Sequence, residues 1–122
     1  MKSILIVEDN ADVASNIEYM LSKEGYSVFV ANNGAAGIAA AKLRTPDLII
    51  MDIMLPDIDG GGAIEKIQEY PSCKDTPVIF LTGLISSGEE RENVNVRGKM
   101  YPGIGKPFDF PRLLEKIKKY LK

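Results

Sequence analysis

The feature that most constrains this 122-residue chain is a regular alternation of short apolar runs with helical patterns from one end to the other. Ser3-Ile-Leu-Ile-Val7 is β-rich and ends in Glu8-Asp9-Asn10. Val13, Ile17, Met20 and Leu21 then recur at helical spacing until Gly25 supplies a stop. Ser27 to Ala31 predicts a second strand, and the alanine-rich segment Ala35 to Leu43 a second helix, closed before Pro46. Leu48-Ile-Ile-Met51 lacks polar alternation and predicts a central strand buried on both faces. Ala63, Ile64 and Ile67 predict a third helix ending near Pro71, and Pro77-Val-Ile-Phe-Leu81 a fourth strand. Strands alternating with helices imply right-handed crossovers and a parallel sheet covered on both faces, an α/β fold.

The segment after the fourth strand carries mixed signals. Ser86 and Glu89 have capping-box spacing, whereas Asn93-Val-Asn-Val-Arg97 alternates with period two and contains weak helix formers. The alternation of elements predicts a short fourth helix here and a fifth strand near Gly103 to Gly105. Asp109 opens a last helix with Pro111 in its first turn and a stripe of Phe110, Leu113, Leu114, Ile117 and Leu121.

Length and apolar content, 45%, suit one domain over residues 1–122. Fifteen basic against seventeen acidic residues leave a net charge of −2, which favours neither nucleic acid nor an anionic membrane. No apolar run approaches the ~20 residues of a membrane span. One cysteine, Cys73, and no secretory leader pattern predict a reducing, cytoplasmic setting. The chain contains no histidine, so histidine triads and histidine-ligated zinc are excluded, and any chemistry falls to carboxylates, hydroxyls and lysine.

In a parallel sheet all strands point the same way and ligands bind beyond their carboxyl ends. The residues just after the strands are Glu8 and Asp9, Asp52, Thr82 and Lys106. Each alone is more often a solvated loop residue or helix cap; it is their coincidence at four strand ends that points to a site. Three carboxylates in one pocket repel one another unless a cation neutralises them, and a hard divalent ion such as Mg²⁺ suits them while leaving room for a phosphoryl group. That group would be stabilised by Lys106, the Thr82 hydroxyl and nearby backbone N–H groups. Asp52, central in the sheet, is the best placed nucleophile, and Gly83 leaves the backbone open to approach.

The set Glu8-Asp9, Met51-Asp-Ile-Met-Leu-Pro56 with Asp59-Gly60, Thr82-Gly83 and Lys106-Pro107-Phe108 resembles the receiver domain of two-component response regulators, over the whole chain and in order. The resemblance implies a flavodoxin-like, doubly wound, three-layered fold: five parallel strands in the order 2-1-3-4-5 with five helices. It implies phosphorylation of Asp52 by a histidine kinase or histidine phosphotransfer protein, and an output through a downstream target or a fused domain that could begin past Lys122. Enzymatic action would be limited to self-phosphorylation and autodephosphorylation. Asp9 would ligate Mg²⁺ directly, Glu8 mostly through water, and Met54 through its backbone carbonyl. Thr82 would be the switch hydroxyl and Lys106 the phosphoryl partner, with the Lys106–Pro107 peptide cis. Two positions depart: Glu8 stands where many members have aspartate, and Gly103 where the family has an aromatic switch residue. Either Tyr101 takes the aromatic role, next to a proline that interrupts regular strand bonding, or the signal runs through the fourth helix.

Rival readings fare worse. Asp57-Ile-Asp59-Gly60 suggests an aspartate-nucleophile phosphatase of the haloacid dehalogenase type, but Pro56 interrupts the strand expected there. A calcium loop from Asp57 lacks glutamate at its twelfth position, which is Gln68. In a flavodoxin the first loop holds a phosphate, which Glu8-Asp9 would repel. A receiver fold acting only as a phosphorylation-independent interaction module is disfavoured by the complete set of acidic, hydroxyl and lysine positions. Met20, Met51 and Met54 read as core or loop filler, Cys73 as a loop residue, and Lys116, Lys118, Lys119 and Lys122 as a solvated face that complements the last helix's dipole.

Overall fold

A computed structural model describes residues 1–83 and 90–121, with the backbone alone for 90–93. Strands β1 (Ser3–Val7), β2 (Ser27–Ala31), β3 (Leu48–Asp52) and β4 (Val78–Thr82) alternate with helices α1 (Ala11–Lys23), α2 (Gly34–Arg44) and α3 (Gly60–Gln68). A short 3-10 turn, Pro71–Cys73, follows α3. Beyond β4 come β5 (Glu90–Val96), β6 (Lys99–Gly105) and helix α4 (Phe110–Tyr120). The sheet order is β2-β1-β3-β4-β6-β5, with β1, β2, β3, β4 and β6 parallel and β5 an antiparallel edge strand on β6. The doubly wound α/β architecture expected from the sequence is therefore present, with β6 in the place of the fifth parallel strand.

Alternating side chains on the central strands divide the core in two. Ile4 and Ile6 of β1, with Leu48 and Ile50 of β3, pack under α1 and α4 among Ile17, Leu21, Leu113 and Ile117. Leu5, Val7, Ile49, Met51 and Phe80 face the other way, with Ala41 of α2 and Ile64 and Ile67 of α3. The first four residues of β3 have no exposed surface, and burial of each large apolar side chain contributes about 1.5–3 kcal/mol. Cys73 belongs to this core rather than to a solvated loop: it is buried, and its Sγ lies 3.4 Å from the Ala41 carbonyl.

The departure from expectation is local. Backbone 90–96 forms a strand rather than part of a fourth helix, so the described residues hold four α-helices and an added β-hairpin. The Ser86–Glu89 capping pattern lies outside the described residues. The hairpin turns through Arg97 (φ 54°) and Gly98 (φ 87°), the paired positive values of a type I′ turn, whose twist matches that of the flanking strands. Period-two alternation in Asn93–Arg97 outweighs the capping signal because asparagine and valine are weak helix formers. Pro102 is accommodated where the pairing register shifts between Arg91 and Val94, a bulge at which a missing N–H costs little.

Asp109 caps the last helix as the sequence predicts, and three other helix starts are capped in the same way, with one longer reach. Asn10, Asn33, Asp59 and Asp109 cap their own helices through side-chain oxygens. Asp57 reaches across to α2, accepting from Gly34 N at 2.8 Å and Ala35 N at 2.9 Å, and these bonds hold its carboxyl below the ordinary carboxylate range. The last-turn lysines Lys118 and Lys119 are solvated as expected, whereas Lys116 is buried and Lys122 lies outside the described residues.

Gly60 begins α3 at a point of close approach: a Cβ there would lie 2.3 Å from the Asp52 carbonyl oxygen, a backbone atom that cannot turn aside. Replacing Gly60 with Ala is expected to lower stability by about 1–3 kcal/mol, the cost of overpacking. Urea unfolding checks this, and an unchanged midpoint would contradict the close approach.

Candidate functional site

The register of the sheet fixes what meets at its carboxyl edge. Val7 pairs with Met51, Asp52 with Leu81, and Thr82 with Gly105, so Glu8 and Asp52 emerge level with each other, and Thr82 and Lys106 follow one and two residues further along the adjacent strands. The Lys106 amide donates to the Thr82 carbonyl at 2.8 Å, tying the ends of β4 and β6. The Lys106–Pro107 peptide is cis.

Glu8 is 1% exposed and Asp52 6%, unusual burial for carboxylates. Both are reached by the Lys106 ammonium, which bonds Glu8 Oε1 and lies 3.1 Å from Asp52 Oδ2. The second oxygen of Glu8 accepts from Asn10 N at 3.1 Å, and Asp52 Oδ1 accepts from Met54 N at 3.2 Å. Burial raises the Glu8 carboxyl above its usual range, helped by the Asp52 charge and opposed by the bonds from Lys106 and Asn10. Burial would lower Lys106, but its hydrogen bonds to Glu8 and Asp52 outweigh this and raise it.

Asp9 sits differently. Its side chain is exposed, yet one oxygen from each of Glu8, Asp9 and Asp52 lies within 4.8 Å of the others. Three negative charges against the one on Lys106 leave two uncancelled. The donor set is all oxygen and fits a small hard dication. Both oxygens of Glu8 and of Asp52 are engaged by Lys106 or a backbone amide, whereas the Asp9 side chain is exposed, which makes Asp9 the more available ligand. The Met54 side chain is exposed.

Thr82 is buried at the end of β4. Among the described residues, a Cβ on Gly83 would meet no atom within 4 Å, so the approach above it is open. An apolar groove lined by Val13, Ile17, Met20, Phe108 and Phe110 runs beside Lys106.

The structure brings Glu8, Asp9, Asp52 and Lys106 together and places Thr82 on the same edge, but it separates Asp57 and Asp59 from them as helix caps. Asp57 caps α2 and is not in the acidic group of Glu8, Asp9 and Asp52, so the nucleophile of the phosphatase reading stands apart from the candidate metal ligands. The space over Gly103 is filled by Val94 of the hairpin: a Cβ on Gly103 would lie 2.7 Å from Val94 Cγ2. Val94 belongs to the period-two pattern of Asn93–Arg97, but its place over Gly103 follows only from the hairpin pairing. Tyr101 packs edge-to-face on Phe80, ring centroids 5.1 Å apart, and its hydroxyl accepts from Gln68 Nε2 at 3.3 Å.

Comparison with known proteins agrees with this arrangement. The response regulator receiver domain family matches residues 4–118. The polar-differentiation response regulator DivK of Brucella anthropi is 33% identical over 98% of this chain and 96% of its own length. The transcriptional regulatory protein PcoR of Escherichia coli is 35% identical over the whole chain, which spans 52% of that protein, about half its length. Among solved structures, the receiver domain of a Pseudomonas aeruginosa sensor histidine kinase, with magnesium coordinated in its active site cleft, superposes with a TM-score of 0.84. It shares 32% identity over 98% of this chain and 97% of its own. A CheY-like receiver domain from Methanospirillum hungatei has the same TM-score at 29% identity, covering 99% of this chain and 94% of that one.

The uncancelled charge yields a prediction. Mg²⁺ at about a hundredfold excess over its Kd should stabilise the protein by about 2.7 kcal/mol. Asp9→Asn should lose most of this and Glu8→Gln less. Thermal unfolding with and without Mg²⁺ reads it; an equal gain in Asp9→Asn and wild type would contradict the assignment of Asp9.

Proposed function

The chain belongs to the response regulator receiver domain family, and on that footing we propose that it is a phosphorylation-dependent switch whose phosphoacceptor is Asp52, charged by a histidine kinase or histidine phosphotransfer protein. The observation that carries the assignment is the Lys106 ammonium bridging Glu8 and Asp52 at the sheet's carboxyl edge. Asp52 belongs to the central strand, so its carboxylate is held by the rigid part of the molecule, and the Met54 amide fixes its orientation.

Transfer is a displacement at phosphorus. An Asp52 oxygen gives a lone pair to form the new P–O bond while the donor's P–N bond breaks and its electron pair leaves on the imidazole nitrogen. Glu8, Asp9, Asp52 and the Met54 carbonyl would hold Mg²⁺, which supplies charge neutralisation for the phosphoryl oxygens. Lys106 pairs with a phosphoryl oxygen in exchange for a carboxylate. The Thr82 hydroxyl and the Gly83 backbone stabilise the remaining charge, and Gly83 keeps the approach open. The apolar groove beside Lys106 gives a protein donor a surface to seat against. The near-neutral charge and the carboxylate-lined edge support a partner that is protein rather than nucleic acid.

Residues 1–122 act as one domain in this reading, in the cytoplasm where histidine kinases present their phosphoryl groups. Among the described residues no helix is long and apolar enough to cross a membrane. Output passes to a downstream target or a fused domain.

Incubation with acetyl phosphate and Mg²⁺ should add one phosphoryl group, seen by intact mass, and Asp52→Asn should take up none. Labelling that persists in Asp52→Asn would overturn the assignment.

A further inference from the structure

We propose that Arg97 is a positioning residue for the phosphoacceptor loop, latching the β5–β6 hairpin to the segment that follows Asp52 in the unphosphorylated state. The inference rests on the phosphoacceptor reading of Asp52 and concerns how that site is regulated.

Arg97 stands at the hairpin tip. Its Nη1 lies 3.2 Å from Asp59 Oδ2 and its Nε 3.3 Å from Glu65 Oε1. Asp59 ends the loop that begins at Asp52 and caps α3 by accepting from Gly62 N at 2.8 Å. That loop is short and tightly closed: the Gly60 amide donates to the Ile53 carbonyl at 2.6 Å, and Gly60 packs on the Asp52 carbonyl. A shift of the loop therefore moves Asp59.

The other end of the hairpin is tied to the same site. Strand β6 runs from the tip directly to Lys106, whose ammonium contacts Asp52. Asp52 and Arg97 are thus joined twice, through residues 53–59 and through β6, and the contacts of Arg97 close the ring. These ion pairs are the solvent-exposed contacts of that ring, with side-chain exposures of 47%, 57% and 48% for Arg97, Asp59 and Glu65. Contacts of that kind are weak enough to open in response to a local charge change.

The sequence of α3 supports the same conclusion. Three consecutive glycines in a helix are costly, yet each leaves room for something from the site or the hairpin. Gly60 admits the Asp52 carbonyl. A Cβ on Gly61 would meet Val96 Cγ1 at 2.6 Å, and one on Gly62 would meet Arg97 Nη1 at 2.9 Å. The hairpin tip is seated on the start of α3 by residues chosen for their lack of volume, and Val94 fills the space over Gly103 from the same strand.

A contact made in one state stabilises that state only, so removing the latch should favour the phosphorylated one. Arg97→Asn is the apt variant, because Asn-Gly is the favoured type I′ pair and the turn survives loss of the charge. With Mg²⁺ and beryllofluoride as the phosphoryl mimic, Arg97→Asn should bind about two- to fivefold more tightly than wild type, the range that one or two exposed ion pairs carry. Glu65→Gln, which leaves the α3 cap intact, should show a smaller change of the same sign. Without the mimic, the amide resonances of residues 94–100 in Arg97→Asn should already lie part-way toward their positions in the mimic-bound wild type, a displacement that loss of stability alone does not produce. Unchanged or weaker binding in Arg97→Asn, with hairpin amides unmoved, would overturn the latch alone. A wild-type protein that neither binds beryllofluoride nor takes up a phosphoryl group would overturn the phosphoacceptor reading and the latch with it.

Discussion

Lys106 holds Glu8 and Asp52 together across the ends of β1, β3 and β6, and the carboxyl edge of the sheet is organised around that bridge. Two buried carboxylates side by side repel each other and lose hydration, and the ammonium between them offsets both effects. The bridge exists because the strands keep one register. Slipping β3 by a single residue would turn Asp52 to the opposite face and send Leu48 and Ile50 into the wrong core layer. Apolar packing on both faces of the sheet thus sets the position of the charges above it.

The cost of the arrangement is visible. Glu8 is pushed above the ordinary carboxylate range by burial, so its ionised form opposes folding at neutral pH, where a solvated acid would be neutral in effect. Such groups persist where they serve chemistry rather than stability. Under the proposed function, exchange of Lys106 from carboxylate to phosphoryl oxygen would give the site two states with similar local contacts, the condition for a switch.

Much of this was readable from the residues. Strands β1 and β2 have the ends the sequence predicts, because polar and turn residues bound them sharply: Glu8-Asp9-Asn10 after β1 and Gly25 before β2. The site residues were accessible because a parallel sheet gathers whatever follows its strands. What was not accessible was the region after β4. There the alternation of elements argued for a helix, while Asn93-Val-Asn-Val-Arg97 argued locally for a strand, and the local signal prevailed. The filling of Gly103 by Val94 could not be read at all, since it depends on a long-range pairing across the hairpin. Likewise Asp57 reads as a free acid in sequence, and only the packing of the loop against α2 shows it to be a cap for a distant helix.

A crystal structure of the protein with Mg²⁺ and beryllofluoride bound tests the role of the Lys106 bridge most directly. Beryllium is expected on an Asp52 carboxylate oxygen, with the Lys106 ammonium moved from Glu8 and Asp52 onto a fluoride. Beryllofluoride bound elsewhere, or Lys106 still bridging Glu8 and Asp52 beside an occupied site, would contradict that role.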